Sequence, residues 1–149
     1  MWAVDTETQL DRIDGILSEV RSEFGDRLCS MSIKEFSSSR LRLDAAVIVC
    51  VLHTIPSVKA RKDLLRAIRR NVKKGGKLLV DVPFGEPYYR RKMTMERRYR
   101  DGYLMGCGSC RTFYKEFDEE EIKSLVEEFG FLFELKLDVR RHHALVFQT

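Results

Sequence analysis

Residues 44–82 read DAAVIVCVLHTIPSVKARKDLLRAIRRNVKKGGKLLVDV, and this stretch decides the fold. Residues 45–51 form a continuous apolar run, followed by a turn at Leu52-His53-Thr54-Ile55-Pro56. A basic amphipathic helix comes next, placing Val58, Leu64, Leu65, Ile68 and Val72 on one face. Arg61, Lys62, Arg66, Arg69 and Arg70 fall mostly on the other face. Lys73-Lys74-Gly75-Gly76 then leads into a second apolar run, residues 77–82. Unbroken apolar strands, rather than alternating ones, are expected where both faces of a parallel sheet are covered. Strand, helix and strand together predict a right-handed crossover.

Working outward, residues 2–4 and Asp5 read as a short strand ending in a carboxylate. A helix follows, with Thr6 and Gln9 spaced as a capping box and Leu10, Ile13, Leu17, Val20 and Phe24 at helical spacing. Residues 27–33 predict another strand. Near the C-terminus, Asp118 and Glu121 form a second capping box, Ile122, Leu125, Val126 and Phe129 an apolar face, and Gly130 a helix stop. Residues 131–139 and 143–147 predict two antiparallel strands joined by a tight basic turn.

An acidic residue opening a strand, then Leu-His and a Pro, then Lys-x-Gly-Gly before the next strand, resembles the second half of a class I S-adenosylmethionine-dependent methyltransferase. The flanking elements follow the same order. The resemblance implies a three-layer α/β/α sandwich, Rossmann-like, with a mostly parallel sheet and a closing antiparallel hairpin. It also implies S-adenosylmethionine as cofactor. Ligands would sit outside the carboxyl ends of the strands, at Asp5, Ser32, Cys50, Leu52 and His53. Asp5 would hold the ribose diol; a helix N-terminal charge is the plainer role for it. Ser32 falls near the place of an acidic adenine contact, with Glu35 displaced from it. His53 is a candidate general base, though the equivalent family residue mostly packs and hydrogen-bonds. Methyl transfer depends on positioning, and a base matters only where the acceptor must lose a proton.

The family's first strand and Gly-rich turn would precede Asp5, and the first Gly-x-Gly in the chain is Gly106-Cys107-Gly108. That strand is central in the family sheet, so residues 2–4 and 45–51 are each expected to leave an unpaired apolar edge. The expectation is a fragment, half of a split protein, or a rearranged relative. A homo-oligomer or partner would complete the sheet, and the chain alone would bind the cofactor weakly. The family reading makes 1–149 a single, N-terminally shortened domain with 83–117 as an acceptor-site or lid insertion.

The length of 149 residues suits a single core, and a 44% hydrophobic content is ordinary. No apolar run is long enough to span a bilayer and no signal-peptide pattern opens the chain, which predicts a cytoplasmic protein without a membrane partner. The net charge of +4 is concentrated at Arg90, Arg91, Lys92, Arg97, Arg98 and Arg100, interleaved with Tyr88, Tyr89, Tyr99 and Tyr103. Tyr88, Arg97, Arg98 and Arg100 are candidate contacts for an RNA or small-molecule acceptor; a solvated helical segment is the plainer reading. Cys107-Gly-Ser-Cys110 has the spacing of half a zinc site, of a redox pair, or of two reduced thiols. A closed zinc site needs a second ligand pair that the sequence does not offer, so no metal is expected. The alternative to an enzyme is a non-catalytic methyltransferase-like subunit that binds a protein or RNA.

Overall fold

The computed structural model describes residues 2–25, 29–83, 94–107, 110–139 and 142–149. They form two compact units, Met1–Leu41 and Arg42–Thr149. In the first, β1 (Trp2–Asp5) pairs in parallel with β2 (Cys29–Ser32), Asp5 opposite Ser32. The single helix expected between them is broken at Ile13 into α1 (Glu7–Arg12) and α2 (Asp14–Phe24). Thr6 caps α1 by accepting the Gln9 amide at 3.3 Å. The reciprocal half of the box is replaced, because the Thr6 amide donates to the Asp5 carboxylate at 2.7 Å. After β2 comes α3 (Ile33–Ser38).

The second unit is built on a four-stranded sheet of β3 (Leu43–Val49), β4 (Val72–Val82), β9 (His142–Gln148) and β8 (Leu132–Val139), in that spatial order. The β3–β4 pair is parallel, joined through a 3-10 turn (Leu52–Thr54) and α4 (Val58–Asn71); β9 and β8 add antiparallel. The register jumps from Leu43 opposite Val72 to Ala45 opposite Lys77, so residues 73–76 bulge out of the ladder. The glycines make that bulge possible. Gly75 sits at φ 77°, and a Cβ on Gly76 would lie 2.6 Å from the Val72 side chain and 2.9 Å from two backbone carbonyls. Among the described residues β1 pairs only with β2 and β3 only with β4, leaving each strand the free edge expected from the sequence.

Helices α4 and α5 (Glu119–Glu127) supply Leu65, Ile68, Ile122 and Val126 to the core, where Leu78, Val80, Leu145 and Phe147 of the sheet are fully buried. Each such side chain contributes about 1.5–3 kcal/mol of burial. Asp118 caps α5 through the Glu121 amide at 2.7 Å, but the Glu121 carboxylate turns to Lys115 Nζ at 2.7 Å instead of closing the box. The chain leaves α5 at Gly130, φ 78°.

Two expectations about this unit are corrected. Arg61, assigned to the solvated face of α4, is buried at 2% exposure, whereas Val58 of the expected apolar face is exposed. Two acceptors and an aromatic ring draw Arg61 inward, as described below. The second concerns β3, whose apolar run suggested cover on both faces. Ile48 is buried, but Val47 and Val49 are 63% and 54% exposed.

The segment beyond residue 93, where a solvated helix was the plainer reading, is β instead. Strands β5 (Thr94–Tyr99), β6 (Gly102–Cys107) and β7 (Cys110–Tyr114) form an antiparallel sheet in sequence order. Arg100 at φ 55° followed by Asp101-Gly102 makes the reversal between the first two. The two loop residues are Arg100 and Asp101, and the pairing of β5 with β6 outweighs the helical appearance of the arginines.

Candidate functional site

In the first unit, β1 and β2 end side by side at Asp5 and Ser32. Parallel pairing brings both carboxyl ends to one rim, where the chain turns into helix N-termini that favour negative ligand groups. One Asp5 oxygen accepts the Thr6 amide at 2.7 Å; a carboxylate has capacity for further donors, as a vicinal diol would require. Ser32 is buried and forms a complete capping box with Glu35. Its amide and hydroxyl donate to Glu35 Oε2 at 2.8 and 2.9 Å, and the Glu35 amide donates to its hydroxyl at 3.3 Å. Those bonds from the Ser32 backbone and hydroxyl hold the Glu35 carboxyl below the usual carboxylate range. Glu35, displaced from the strand end in sequence, is thereby folded back onto it. A groove of about 330 Å³ beside this rim is lined by Leu10, Asp11, Ser30, Ser32 and Glu35 among others.

In the second unit, the carboxyl end of β3 carries Cys50, Leu52 and His53. Cys50 adopts φ 54°, a left-handed conformation that costs a non-glycine residue about 1–2 kcal/mol. Its amide donates to the Asp81 carbonyl at 2.9 Å, which fixes the strand end against β4. Burial and the nearby Asp81 carboxylate push the Cys50 thiol upward. Its thiolate fraction is therefore depressed at neutral pH. Alkylation of Cys50 is expected to lag behind that of an unperturbed thiol, with ordinary pKa about 8.5, and Asp81→Asn should speed it. Mass-spectrometric alkylation rates against pH check this; an Asp81→Asn profile identical to the parent's would contradict it.

Leu52 is fully buried and His53 is 3% exposed. The His53 ring meets Tyr114 edge-on at 5.3 Å, and its carbonyl accepts the Lys115 amide at 2.8 Å. The three-stranded sheet is thus fastened to the end of β3. A second fastening was not foreseen from the sequence. Arg61 pairs with Asp101 in the β5–β6 reversal, donates to the Ile55 carbonyl at 2.7 Å and lies 5.5 Å from the Phe117 ring centroid. Arg100 adds a bond to the Pro56 carbonyl at 3.3 Å and rests on Tyr99. The Asp101-Gly102 dipeptide was the available sequence signal for where the turn falls; nothing in the sequence marked Arg61 as its partner.

Arg97, Arg98 and Arg100 are exposed on β5 and its turn, with Tyr99 between them. Tyr88 and the side chains of Cys107 and Cys110 lie outside the described residues. Among the described residues, no group of three or more His, Cys, Asp or Glu is placed to hold a metal ion, and no helix is long and apolar enough to cross a membrane.

No protein-family model and no curated protein sequence matches the chain. Solved structures do. A 1,6-didemethyltoxoflavin-N1-methyltransferase from Burkholderia thailandensis, with bound 1,6-didemethyltoxoflavin and S-adenosylhomocysteine, superposes with a TM-score of 0.67 at 16% identity, over 99% of this chain and 70% of that one. An S-adenosylmethionine-dependent methyltransferase from Methanosarcina mazei gives 0.69 at 17% identity, over 99% and 81%. The glycopeptide N-methyltransferase MtfA, complexed with S-adenosylhomocysteine, gives 0.69 at 13% identity, over 99% and 72%. Of an O-methyltransferase family protein from Burkholderia thailandensis the chain spans only 42% of the length. With its parallel strand pairs, crossover helix and closing antiparallel hairpin, the chain has a Rossmann-like fold like that of these class I methyltransferases.

Proposed function

We propose that this chain is an S-adenosylmethionine-dependent methyltransferase, or the larger part of one, a single domain in which 83–117 shapes the acceptor side. The observation that carries the reading is the pairing of Asp5 with Ser32 at the carboxyl rim of a parallel strand pair, in a fold that the neighbours use to hold S-adenosylhomocysteine. When bound, the sulfonium supplies an electrophilic methyl group to an acceptor atom aligned opposite the breaking carbon–sulfur bond. Asp5 would accept hydrogen bonds from the ribose hydroxyls through the capacity left beside its bond to Thr6. Ser32 and Glu35 together would face the adenine edge, and the family resemblance would assign Cys50, Leu52 and His53 to cofactor binding as well. His53, packed under Tyr114, suits holding that strand end in shape better than moving protons.

A partner strand against the free edges of β1 and β3 belongs to this reading, and so does a cytoplasmic setting. The test is calorimetric titration with S-adenosylhomocysteine. Weak binding is expected for the chain alone, and Asp5→Ala should weaken it about 10-fold or more, as hydrogen bonds to a charged group contribute about 1.5–3 kcal/mol each. Binding that is indifferent to Asp5→Ala would remove that residue from the site.

A second reading, a subunit that binds RNA, is favoured by one observation: Arg97, Arg98 and Arg100 are all exposed beside Tyr99 on β5. If it holds, replacing the three arginines by Ala should weaken retention of tRNA and of a homopolymer about equally, and affinity should fall steeply with salt. Absence of retention at low salt would eliminate the RNA reading and leave the strand as a wall of the acceptor pocket.

A further inference from the structure

The candidate site leaves Cys107 and Cys110 unused. Strands β6 and β7 are antiparallel, and their ladder runs from Tyr103 opposite Tyr114 to Cys107 opposite Cys110. The two cysteines are therefore the last paired residues of the ladder, with only Gly108 and Ser109 between them in the sequence. Directly opposed residues of an antiparallel pair share a face of the sheet. Their Cα atoms lie about 4.5 or about 5.5 Å apart, according to their hydrogen-bonding position. A disulfide takes a Cα separation of about 4.4–6.8 Å, so either position accepts one without moving the strands. Glycine on each side of Cys107 gives the backbone room for small adjustments.

The place of the pair in the fold indicates its chemistry. Thiols that catalyse exchange gain reactivity from a helix N-terminus. Here both ends of the motif lie in strands, which suits a pair that is itself oxidised rather than one that oxidises other proteins. A structural zinc ion takes four ligands, twice what the pair supplies. Closing so short a loop also removes less chain entropy than closing a long one. The bond therefore stays reducible, as a reversible disulfide must.

We propose that Cys107 and Cys110 are a redox modification site, a reversible disulfide across the β6–β7 ladder made by a small disulfide of the glutathione class. One cysteine thiolate attacks a sulfur of the small disulfide, forms a mixed disulfide and expels one small thiolate. The second cysteine thiolate attacks the protein sulfur of that mixed disulfide and expels the other. Two protein thiols are oxidised, one small disulfide is reduced to two thiols, and the protons lost by the cysteines end on the released thiolates. The bond holds the same register that sets Tyr114 against His53. The inference does not depend on methyl transfer and stands or falls separately from it.

Tryptic cleavage after Arg100 and Arg111 leaves residues 101–111 as one peptide, which contains Cys107 and Cys110 but neither Cys29 nor Cys50. The full chain is equilibrated with oxidised glutathione at fixed reduced glutathione, quenched by alkylation and read by mass spectrometry. The expected result is an internal disulfide in that peptide, reversed by dithiothreitol. It should form at a glutathione disulfide level about 10-fold or more below that which modifies Cys29 or Cys50, because the second thiol is already in place. In urea the equilibrium should shift about 10-fold toward the reduced pair, since the ladder no longer holds the cysteines opposite each other. Cys110→Ser, shown to be folded by circular dichroism, should replace the internal bond by a glutathione adduct on Cys107. Glutathione adducts on the parent's Cys107 or Cys110 in place of the internal bond would overturn the proposal, as would an equilibrium unchanged by urea. Zinc released from the chain by alkylation of this pair would assign the thiols to a metal and overturn it as well.

Discussion

Asp101→Ala is expected to destabilise the second unit by about 3 kcal/mol, although the residue lies in a surface turn and is partly exposed. The cost arises at the other end of the pair. Arg61 is 2% exposed, and its charge is compensated by Asp101, the Ile55 carbonyl and the face of Phe117. Removing the carboxylate leaves a guanidinium that cannot lose its proton and has little access to water. Replacing both partners, as Arg61→Met/Asp101→Ala, should cost less than Asp101→Ala alone, because the stranded charge is then gone. Urea unfolding of the parent, both single variants and the double variant gives the cycle. An Asp101→Ala value within about 0.5 kcal/mol of the parent, the usual range for an unremarkable surface change, would refute the coupling. Hydrogen exchange should show the first loss of protection in β5 and β6, which the pair ties to the start of α4.

Gly102→Ala is the second large effect, at about 3 kcal/mol or more. The added Cβ would press into the Tyr114 carbonyl oxygen and stand 2.6 and 2.8 Å from two carbons of the Phe113 ring. The ring could rotate, but the carbonyl is held in the β6–β7 ladder, so the strands themselves must separate. Because Tyr114 also packs on His53, that separation should reach the end of β3. Gly15→Ala is the control. It lies within α2 with no atom near its added Cβ, and should be neutral or stabilising by up to about 1 kcal/mol. Thermal midpoints of the two variants, one sharply lowered and one unchanged or raised, check the contrast. Equal midpoints would contradict it.

Elements with strong local signals were legible in the sequence. The apolar runs around 45–51 and 77–82, the helix between them and the capped helix starting after Asp118 appear where local chemistry placed them, although β4 begins at Val72 rather than at residue 77. The family-like order of elements was legible for the same reason. The candidate residues Asp5, Ser32, Cys50, Leu52 and His53 do fall at strand ends, since a strand's end is a local property. What each side chain does there was not legible: Ser32 closes a cap with Glu35, Leu52 is sealed in the core and His53 lies under Tyr114.

Arg61 shows the limit most clearly. Helical periodicity assigns it by residue type to the outer face, because a charge belongs in water unless something distant compensates it. Asp101, forty residues along the chain, provides that compensation, and no local pattern could announce it. The arginines after residue 93 resembled a solvated helix, but pairing with β6 made them a strand, since strand formation depends on a neighbour as helix formation does not. The apolar run of β3 likewise stated correctly that the strand is apolar, but not that Val47 and Val49 would be left uncovered. By itself the sequence determined periodicity, caps and turns, which are set within a few residues by backbone sterics and local hydrogen bonds. Tertiary structure alone decided which charges are buried, which strands are paired and which apolar side chains stay exposed. Those depend on the free energy of bringing distant groups together and excluding water between them.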